Sequence, residues 1–363
     1  MKIRDDGTYL IDAAKLETLV ADMLTRVGVA VEDARIVADS LVSADVRGMN
    51  SHGVMRLPVY IERLQRGGFK PGSRGRVVSE TPATALIDGE EGLGAVLTSS
   101  AMDLAIDKAK RTGIAAVGIR NSNHNGENAY YVKRAIAADM IGIATTNGSP
   151  IMPVWGGKTM LTGPLPIAIG VPTEKARPII LDAALGMSSR GKILYYAEKG
   201  MTLPDGWLVD RDGNPTNDPN WVKKGGWILP IGGHKGWGLI LACEILSGLL
   251  TGGKFGQELT NLYDDLDAPQ RNGHFVIAID IGAFIDIGMF KQRMDEYIGI
   301  MKASTLAPGT EEILMPGEIE DRKEIKHREE GIPIGRSVVD EVVSLAGTLG
   351  SDADLIDQLE ART

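Results

Sequence analysis

Asp45-Val46-Arg47-Gly48-Met49-Asn50-Ser51-His52-Gly53-Val54-Met55-Arg56-Leu57-Pro58 is the stretch on which the reading of the fold turns. Before it, Ile36, Val37, Leu41 and Val42 mark the apolar side of a helix from about Val31 to Arg47, which Gly48 ends. After it, a helix is expected from about Val54 to Gln65, closed by Gly67-Gly68. Between the two, a glycine-punctuated turn delivers Ser51 and His52 to a helix start. If the chain is helical from Gly53 onward, Arg56 stands one turn beyond His52 and shares its face. Free N–H groups at a helix start attract anions, and a guanidinium adds a bidentate clamp for a carboxylate. An imidazole beside that clamp can exchange a proton with a hydroxyl or a carbonyl. The same residues also suit a plain capped helix, with Ser51 as the cap and His52 merely exposed.

The segment before this stretch is helical too. Leu16, Leu19, Val20, Met23, Leu24 and Val27 recur at three- and four-residue steps, with Asp12 a suitable N-cap and Gly28 a stop. Lys70-Pro71-Gly72-Ser73 is the first strong break and a candidate domain boundary. Beyond it the pattern changes. Short apolar runs at 114–119, 141–145, 167–171 and 179–181 read as strands of a mostly buried sheet, alternating with helices near 98–111 and 127–139. Residues 204–226, rich in Pro, Gly, Asp and Asn, read as a long surface loop. A helix at 237–250, a strand at 275–281 and a helix near 291–303 follow. From Ser337 the chain is helical again through Val338, Val342, Leu345, Leu349, Leu355 and Leu359. Helical ends around an α/β middle predict a discontinuous helical domain, residues 1–74 plus 305–363, into which an α/β domain, residues 75–304, is inserted.

The composition of the 363 residues, 43% hydrophobic and 24% charged, excludes collagen-like, low-complexity and wholly disordered chains. At roughly 150 residues per domain the length fits two domains. A net charge of −9 without a basic run argues against nucleic acid or anionic membrane as partners. Any anionic ligand must therefore be held by a few placed cations against an unfavourable overall field. The single cysteine, Cys243, excludes an internal disulfide and a Cys-based zinc site, and reads as a small buried apolar residue. Met1-Lys2-Ile3-Arg4-Asp5-Asp6 has no apolar run behind its charges, so no signal peptide is visible. The longest apolar stretch, 237–250, is short of the roughly 20 residues that span a bilayer. The expectation is a soluble, cytoplasmic protein.

Several familiar chemistries are missing. No GxGxxG occurs, so the Rossmann fingerprint is absent. Gly186-Met187-Ser188-Ser189-Arg190-Gly191-Lys192 nearly makes a P-loop, but Ile193 lacks the hydroxyl that holds magnesium. Gly157-Lys158-Thr159 has Met152 where that motif opens with glycine, so NTP hydrolysis is not expected. There is no GxSxG. His52, His124, His234, His274 and His327 are scattered, with none paired at metal-binding spacing, and no metal is expected. Two further clusters are polar enough for a site. Arg120-Asn121-Ser122-Asn123-His124-Asn125-Gly126-Glu127-Asn128 links a strand to a helix, a position that lines ligand crevices in α/β sheets, though Asn and Ser are also ordinary turn formers. Pro230-Ile231-Gly232-Gly233-His234-Lys235-Gly236-Trp237-Gly238 opens an apolar helix, where Lys235 suits a phosphate. Glycine-rich turns before buried helices are also commonplace.

Together the three clusters resemble the type 2 malate/L-lactate dehydrogenase family, NAD(P)-dependent 2-hydroxy-acid oxidoreductases that include ureidoglycolate and sulfolactate dehydrogenases. The likeness runs through Arg47-Gly48, Ser51-His52-Gly53, Arg56, Asn121-Ser122-Asn123-His124, Asp182 and Gly191-Lys192-Ile193. It continues in Pro204-Asp205-Gly206-Trp207, Gly232-Gly233-His234-Lys235-Gly236 and Met315-Pro316-Gly317-Glu318. The resemblance implies an α/β, non-Rossmann, mixed-sheet cofactor domain inserted into the helical domain, in a homodimer. It implies NAD or NADP as cofactor and a small 2-oxo or 2-hydroxy acid as substrate. By the same likeness, His52 exchanges the proton, Ser51 orients it and Arg56 holds the substrate carboxylate. In some relatives the histidine matching His124 has the proton role, so the two imidazoles stay alternatives. His124, Asn125, Gly126 and Asn128, then Asp182, Ala183 and Ala184, then His234, Lys235 and Gly236 would line the cofactor. Arg322, Lys323 and Arg328 are candidates for reaching the adenosine 2′ position.

Two departures from the family pattern stand out. Asn125 replaces a common Phe, with Glu127 near it, which points to a more polar substrate surface. Gly163-Pro164-Leu165-Pro166 replaces Gly-Thr-Asn-Pro and removes a hydroxyl and an amide expected near the cofactor. The expected reaction is reversible hydride transfer between the cofactor and C2 of a malate- or lactate-like acid. Alternatives are a ureidoglycolate dehydrogenase, a cyclic imino-acid reductase, or a non-catalytic ligand-binding protein on the same scaffold.

Overall fold

The computed structural model describes the backbone of residues 2–3 and 7–360 and the side chains of residues 7–356. Met1, Arg4, Asp5, Asp6 and the Leu359 side chain, used above in reading the two termini, lie outside the described residues. A two-residue strand at Lys2–Ile3 is followed by β1 (Thr8–Ile11), with which it pairs, then α1 (Ala13–Arg26), α2 (Val31–Val46) and α3 (Leu57–Arg66). The middle holds β2 (Arg76–Glu80), β3 (Thr84–Asp88), α4 (Gly94–Thr112), β4 (Ile114–Ser122), α5 (Ala129–Ala137) and β5 (Met140–Thr146). It goes on with β6 (Pro166–Val171), β7 (Ile179–Ala184), α6 (Arg190–Glu198), α7 (His234–Glu244), β8 (Asn272–Asp280) and α8 (Ile287–Lys302). Last come α9 (Glu318–Glu330), β9 (Ile332–Gly335), α10 (Arg336–Leu349) and α11 (Ala353–Glu360).

The two chain ends share one core. The Asp12 carboxylate caps α1 by accepting from the N–H groups of Ala14 and Lys15, at 3.1 Å each, and Gly28 takes the left-handed turn after it. The apolar stripe of α1, Leu16 to Leu24, packs on Val37, Leu41 and Val42 of α2. Ile332, Ile334, Val339 and Val342 from the other end close over it, and β9 pairs antiparallel with β1, Ile334 opposite Tyr9. This short sheet was not legible in the periodicity. Gly350, left-handed, splits the expected C-terminal helix into α10 and α11.

The second core is a seven-stranded sheet in the order β7-β6-β5-β8-β4-β3-β2. All neighbours are antiparallel except β3 and β4, which makes the sheet mixed. Val276 of β8 sits between Ala144 of β5 and Val117 of β4, all fully buried, under α4 and α5. Helix α5 lies so close that a Cβ on Gly142 would stand 2.7 Å from that of Ala135, and one on Gly170 2.9 Å from that of Val132. Because β8 runs opposite to β4 and β5, its start at Asn272 meets their ends at Ser122 and Thr146, along one sheet edge. All five expected strands, at 114–119, 141–145, 167–171, 179–181 and 275–281, are present in this sheet.

Two expectations need correction. Residues 204–226 are not a bare loop: Leu208–Val209 pairs with Pro215–Thr216 and Trp227–Ile228 in a small antiparallel sheet. Two-residue strands carry no alternation to detect. The helix expected at 237–250 starts earlier, at His234, and from Ile245 to Leu249 widens, so that the Leu250 N–H bonds the Ile245 carbonyl five residues back. Cys243 is buried there with Met152, Leu165, Leu185 and Ile240, as expected of a small apolar residue. Among the described residues no helix is long and apolar enough to cross a membrane.

Candidate active site

At that sheet edge a cleft of about 520 Å³ opens between the two cores. His52 and Arg56 line it from the helical side, and His124 from the loop after β4. Gly148 and Ser149 follow β5, Asn272 begins β8, and Gln270 precedes it. Gly163 to Pro166, Arg190, Trp227 and Tyr263 complete the walls.

The His52 turn is built by Asp45. This buried carboxylate accepts from the Val54 N–H at 2.7 Å and from the Asn50 amide at 3.1 Å, drawing the turn onto α2. Burial pushes its pKa up to about 7. Gly53 has no alternative here, since a Cβ would stand 2.0 Å from Asp45 Oδ1. The α-helix expected from Gly53 is instead two three-residue 3₁₀ turns, Asn50–His52 and Val54–Arg56, before α3. Ser51 does not cap a helix. Its hydroxyl lies 2.9 Å from His52 Nδ1, and its carbonyl accepts from Arg56 Nε at 2.7 Å. The Arg56 guanidinium lies over the Tyr263 ring, 5.4 Å from its centroid.

His124 is fixed from two sides. Its N–H donates to Gln270 Oε1 at 3.0 Å, and its Nδ1 lies 2.5 Å from the Tyr60 hydroxyl. Asn123 pins the loop by donating to the Glu91 and Gly92 carbonyls and accepting from the Gln270 N–H. The His52 and His124 rings lie nearly parallel, 5.8 Å between centroids and 15° between planes. Burial lowers the His52 pKa to about 4, with Arg56 adding to it. Burial also holds His124 well below the usual imidazole range, with His52 and Arg56 contributing. Both rings are therefore neutral near pH 7. Beneath them, fully buried His274 bridges the Thr146 and Ser122 hydroxyls at 2.8 Å each, tying β5 to β4; burial takes its pKa to about 3.

The first departure from the family pattern touches the cleft through Asn125 alone. The Asn125 amide turns inward to Thr98 and Asn128, at 3.4 and 3.3 Å. Glu127 is buried beside Ser43 and Arg47, and burial pushes its pKa up to about 7. Glu127 is thus engaged inside and supplies no polar substrate surface, and Asn125, though it borders the cleft, has its amide nitrogen turned inward. The second departure does reach the cleft: Pro164, Leu165 and Pro166 form an apolar wall where the hydroxyl and amide are absent. Asn272 stands on the cleft too, its amide donating to the Asn147 carbonyl at 2.9 Å while its buried Oδ1 has no partner.

The remaining expected site residues lie apart. Asp182, on the edge strand β7, accepts from the Ala129 N–H at 2.7 Å and so serves the start of α5. Burial takes its pKa to about 6. Ala183 and Ala184 follow on the same strand, and Asn128 sits at the α5 start. His234, Lys235 and Gly236 open α7, with the His234 ring 6.5 Å from Trp155. None of these seven lines the cleft, whereas His52, Arg56, His124, Asn125 and Gly126 do. Arg322 is engaged by Glu312 and Glu318, Arg328 by Glu324, and the Lys323 stem covers Gly48. Tyr60, Gln270, Asn272 and Arg190 were not singled out from sequence as site residues. Only Tyr60, four residues past Arg56 on α3, carried a usable spacing signal.

The sequence profile of the malate/L-lactate dehydrogenase family matches residues 11–343. Malate dehydrogenase of Pyrococcus horikoshii is 40% identical over 95% of this chain and 97% of its own. L-sulfolactate dehydrogenase of Methanocaldococcus jannaschii is 42% identical over 92% and 95%, and its solved structure superposes with a TM-score of 0.91 at 97% coverage of this chain and 100% of that one. Escherichia coli ureidoglycolate dehydrogenase (NAD(+)) is 34% identical over 92% and 95%. The chain belongs to the malate/L-lactate dehydrogenase family.

Proposed function

We propose that the chain interconverts a small 2-hydroxy acid and its 2-oxo acid at this cleft, using NAD(P), with His124 as the proton carrier and Arg56 as the carboxylate anchor. The observation that carries the assignment is His124, its ring held by Tyr60 and its backbone N–H by Gln270, on the cleft that Arg56 also lines. The cleft suits a nicotinamide, because the orphaned Oδ1 of Asn272 needs a donor such as a carboxamide NH₂. When bound, the nicotinamide exchanges a hydride with C2 of the acid.

Arg56 Nε is committed to the Ser51 carbonyl, which leaves the two terminal nitrogens for a planar fork on the substrate carboxylate. His124 Nδ1 faces the Tyr60 hydroxyl and, at 3.4 Å, the Gly126 N–H, so Nε2 is the nitrogen turned to substrate. In the tautomer that leaves Nε2 bare, with the proton on Nδ1 toward the Tyr60 oxygen, Nε2 takes the hydroxyl proton during oxidation. In reduction the same nitrogen returns that proton to the alkoxide, while the Tyr60 oxygen stabilises the imidazolium. His52, held only by its neighbour Ser51, buttresses the ring and excludes water. Asp182, Ala183, Ala184, Asn128, His234, Lys235 and Gly236 hold the rest of the dinucleotide in this reading, Lys235 serving its phosphates.

A homodimer belongs to the same proposal. Leu239, Leu241 and Leu249 around α7, and Met289, Tyr297 and Ile300 of α8, are exposed apolar side chains that a second copy would cover. The test mixes the purified protein with each reduced cofactor and a panel of 2-oxo acids and follows nicotinamide absorbance and mass in solution. Turnover by a particle of two chains is expected. Cofactor binding with no turnover on any acid would leave a silent binding protein instead.

A further inference from the structure

Arg190 is the second cation of the cleft. It opens α6, is exposed, and lines the same space as His52, Arg56 and His124. No carboxylate among the described residues pairs with it, and none pairs with Arg56. Not one Asp or Glu lines this cleft, although acidic residues outnumber basic ones by 48 to 39 in the chain. Two unneutralised guanidiniums in a partly enclosed site, set against a net charge of −9, create a local positive field that concentrates anions. A monoanionic 2-oxo acid satisfies only the clamp at Arg56. A second anionic group on the same acid has the other guanidinium as its counter-charge in the same cleft. Lys235, assigned above to the cofactor phosphates, stands outside the cleft, so the inner cation is left for the substrate.

We infer that Arg190 forms a subsite for the second acidic group of a dianionic 2-oxo acid and sets the preference for such an acid over a monoanionic one. The inference rests on the hydride-transfer reading above. Its test compares kcat/KM for oxaloacetate and for pyruvate in the full-length enzyme and in Arg190→Gln. Wild type is expected to prefer oxaloacetate. The exposed substitution should lower kcat/KM for oxaloacetate roughly 10- to 100-fold, mainly through KM, as expected for losing a charge-assisted hydrogen bond. Pyruvate turnover and the cofactor KM should stay within about threefold, and Arg190→Lys, which keeps the charge but not the planar fork, should retain part of the preference. An unchanged preference in Arg190→Gln overturns the subsite, as does an equal loss on both acids or a raised cofactor KM. Failure of wild type to reduce either acid overturns the underlying reading as well.

Discussion

Replacing His124 by Gln is expected to lower kcat/KM in both directions by roughly 10³-fold, within the ~10²–10⁴ that a positioned acid/base contributes. Gln keeps a polar side chain of similar reach, and the loop stays pinned by Asn123 and Gln270, so cofactor affinity should change little. His52→Gln should cost about tenfold, since it removes a packing partner and not the proton carrier. The reverse ranking would move the proton to His52. The pH profile gives a second readout. With both imidazoles held below their ordinary range, the free enzyme already carries the neutral base at pH 6.5. Oxidation measured as kcat/KM should therefore run flat as pH falls through about 6.5, where an unperturbed imidazole would break it. It should decline only well below the ordinary imidazole range, because burial and the neighbouring His52 and Arg56 disfavour the charged His124 ring. A break at an ordinary imidazole value would contradict the buried geometry.

Arg56→Gln is the second large effect. Removing one partner of a desolvated, hydrogen-bonded charge pair costs about 2–4 kcal/mol, or roughly 30- to 1,000-fold in kcat/KM. Arg56→Lys should recover only part of this. An ammonium cannot offer two parallel donors to a carboxylate, and it cannot also reach the Ser51 carbonyl that holds the guanidinium in place. Steady-state kinetics on a 2-oxo acid decides: a wild-type-like kcat/KM in Arg56→Lys would remove Arg56 from the site.

Where apolar residues repeat regularly, the elements were legible. The stripe from Leu16 to Leu24 gave α1 with its Asp12 cap, and the runs around Val117, Ile143, Ile169 and Ile180 gave four strands of the large sheet. Helix α9 was not legible, because Glu318–Glu330 has no apolar stripe. Its charges are the reason it holds: Asp321 and Glu324 reach buried Arg47, and His327 bonds the Val46 carbonyl, so α9 clamps the chain just before the His52 turn. The site divided the same way. His52, Arg56 and His124 fell in polar, glycine-punctuated loops that drew attention by composition. Tyr60 and Gln270 act on His124 from 64 and 146 residues away, and such partnerships arise only when the two cores meet. Asn125 and Glu127 show the opposite limit, since their polarity suggested a contact with substrate while their side chains are engaged inside the protein.

The most direct measurement is a crystal structure of the enzyme with oxidised cofactor and a slowly turned-over 2-hydroxy acid. The account predicts the acid's carboxylate forked on the terminal nitrogens of Arg56 and its C2 hydroxyl within about 3.2 Å of His124 Nε2. An acid seated away from Arg56, or a hydroxyl facing His52 or neither imidazole, would contradict it.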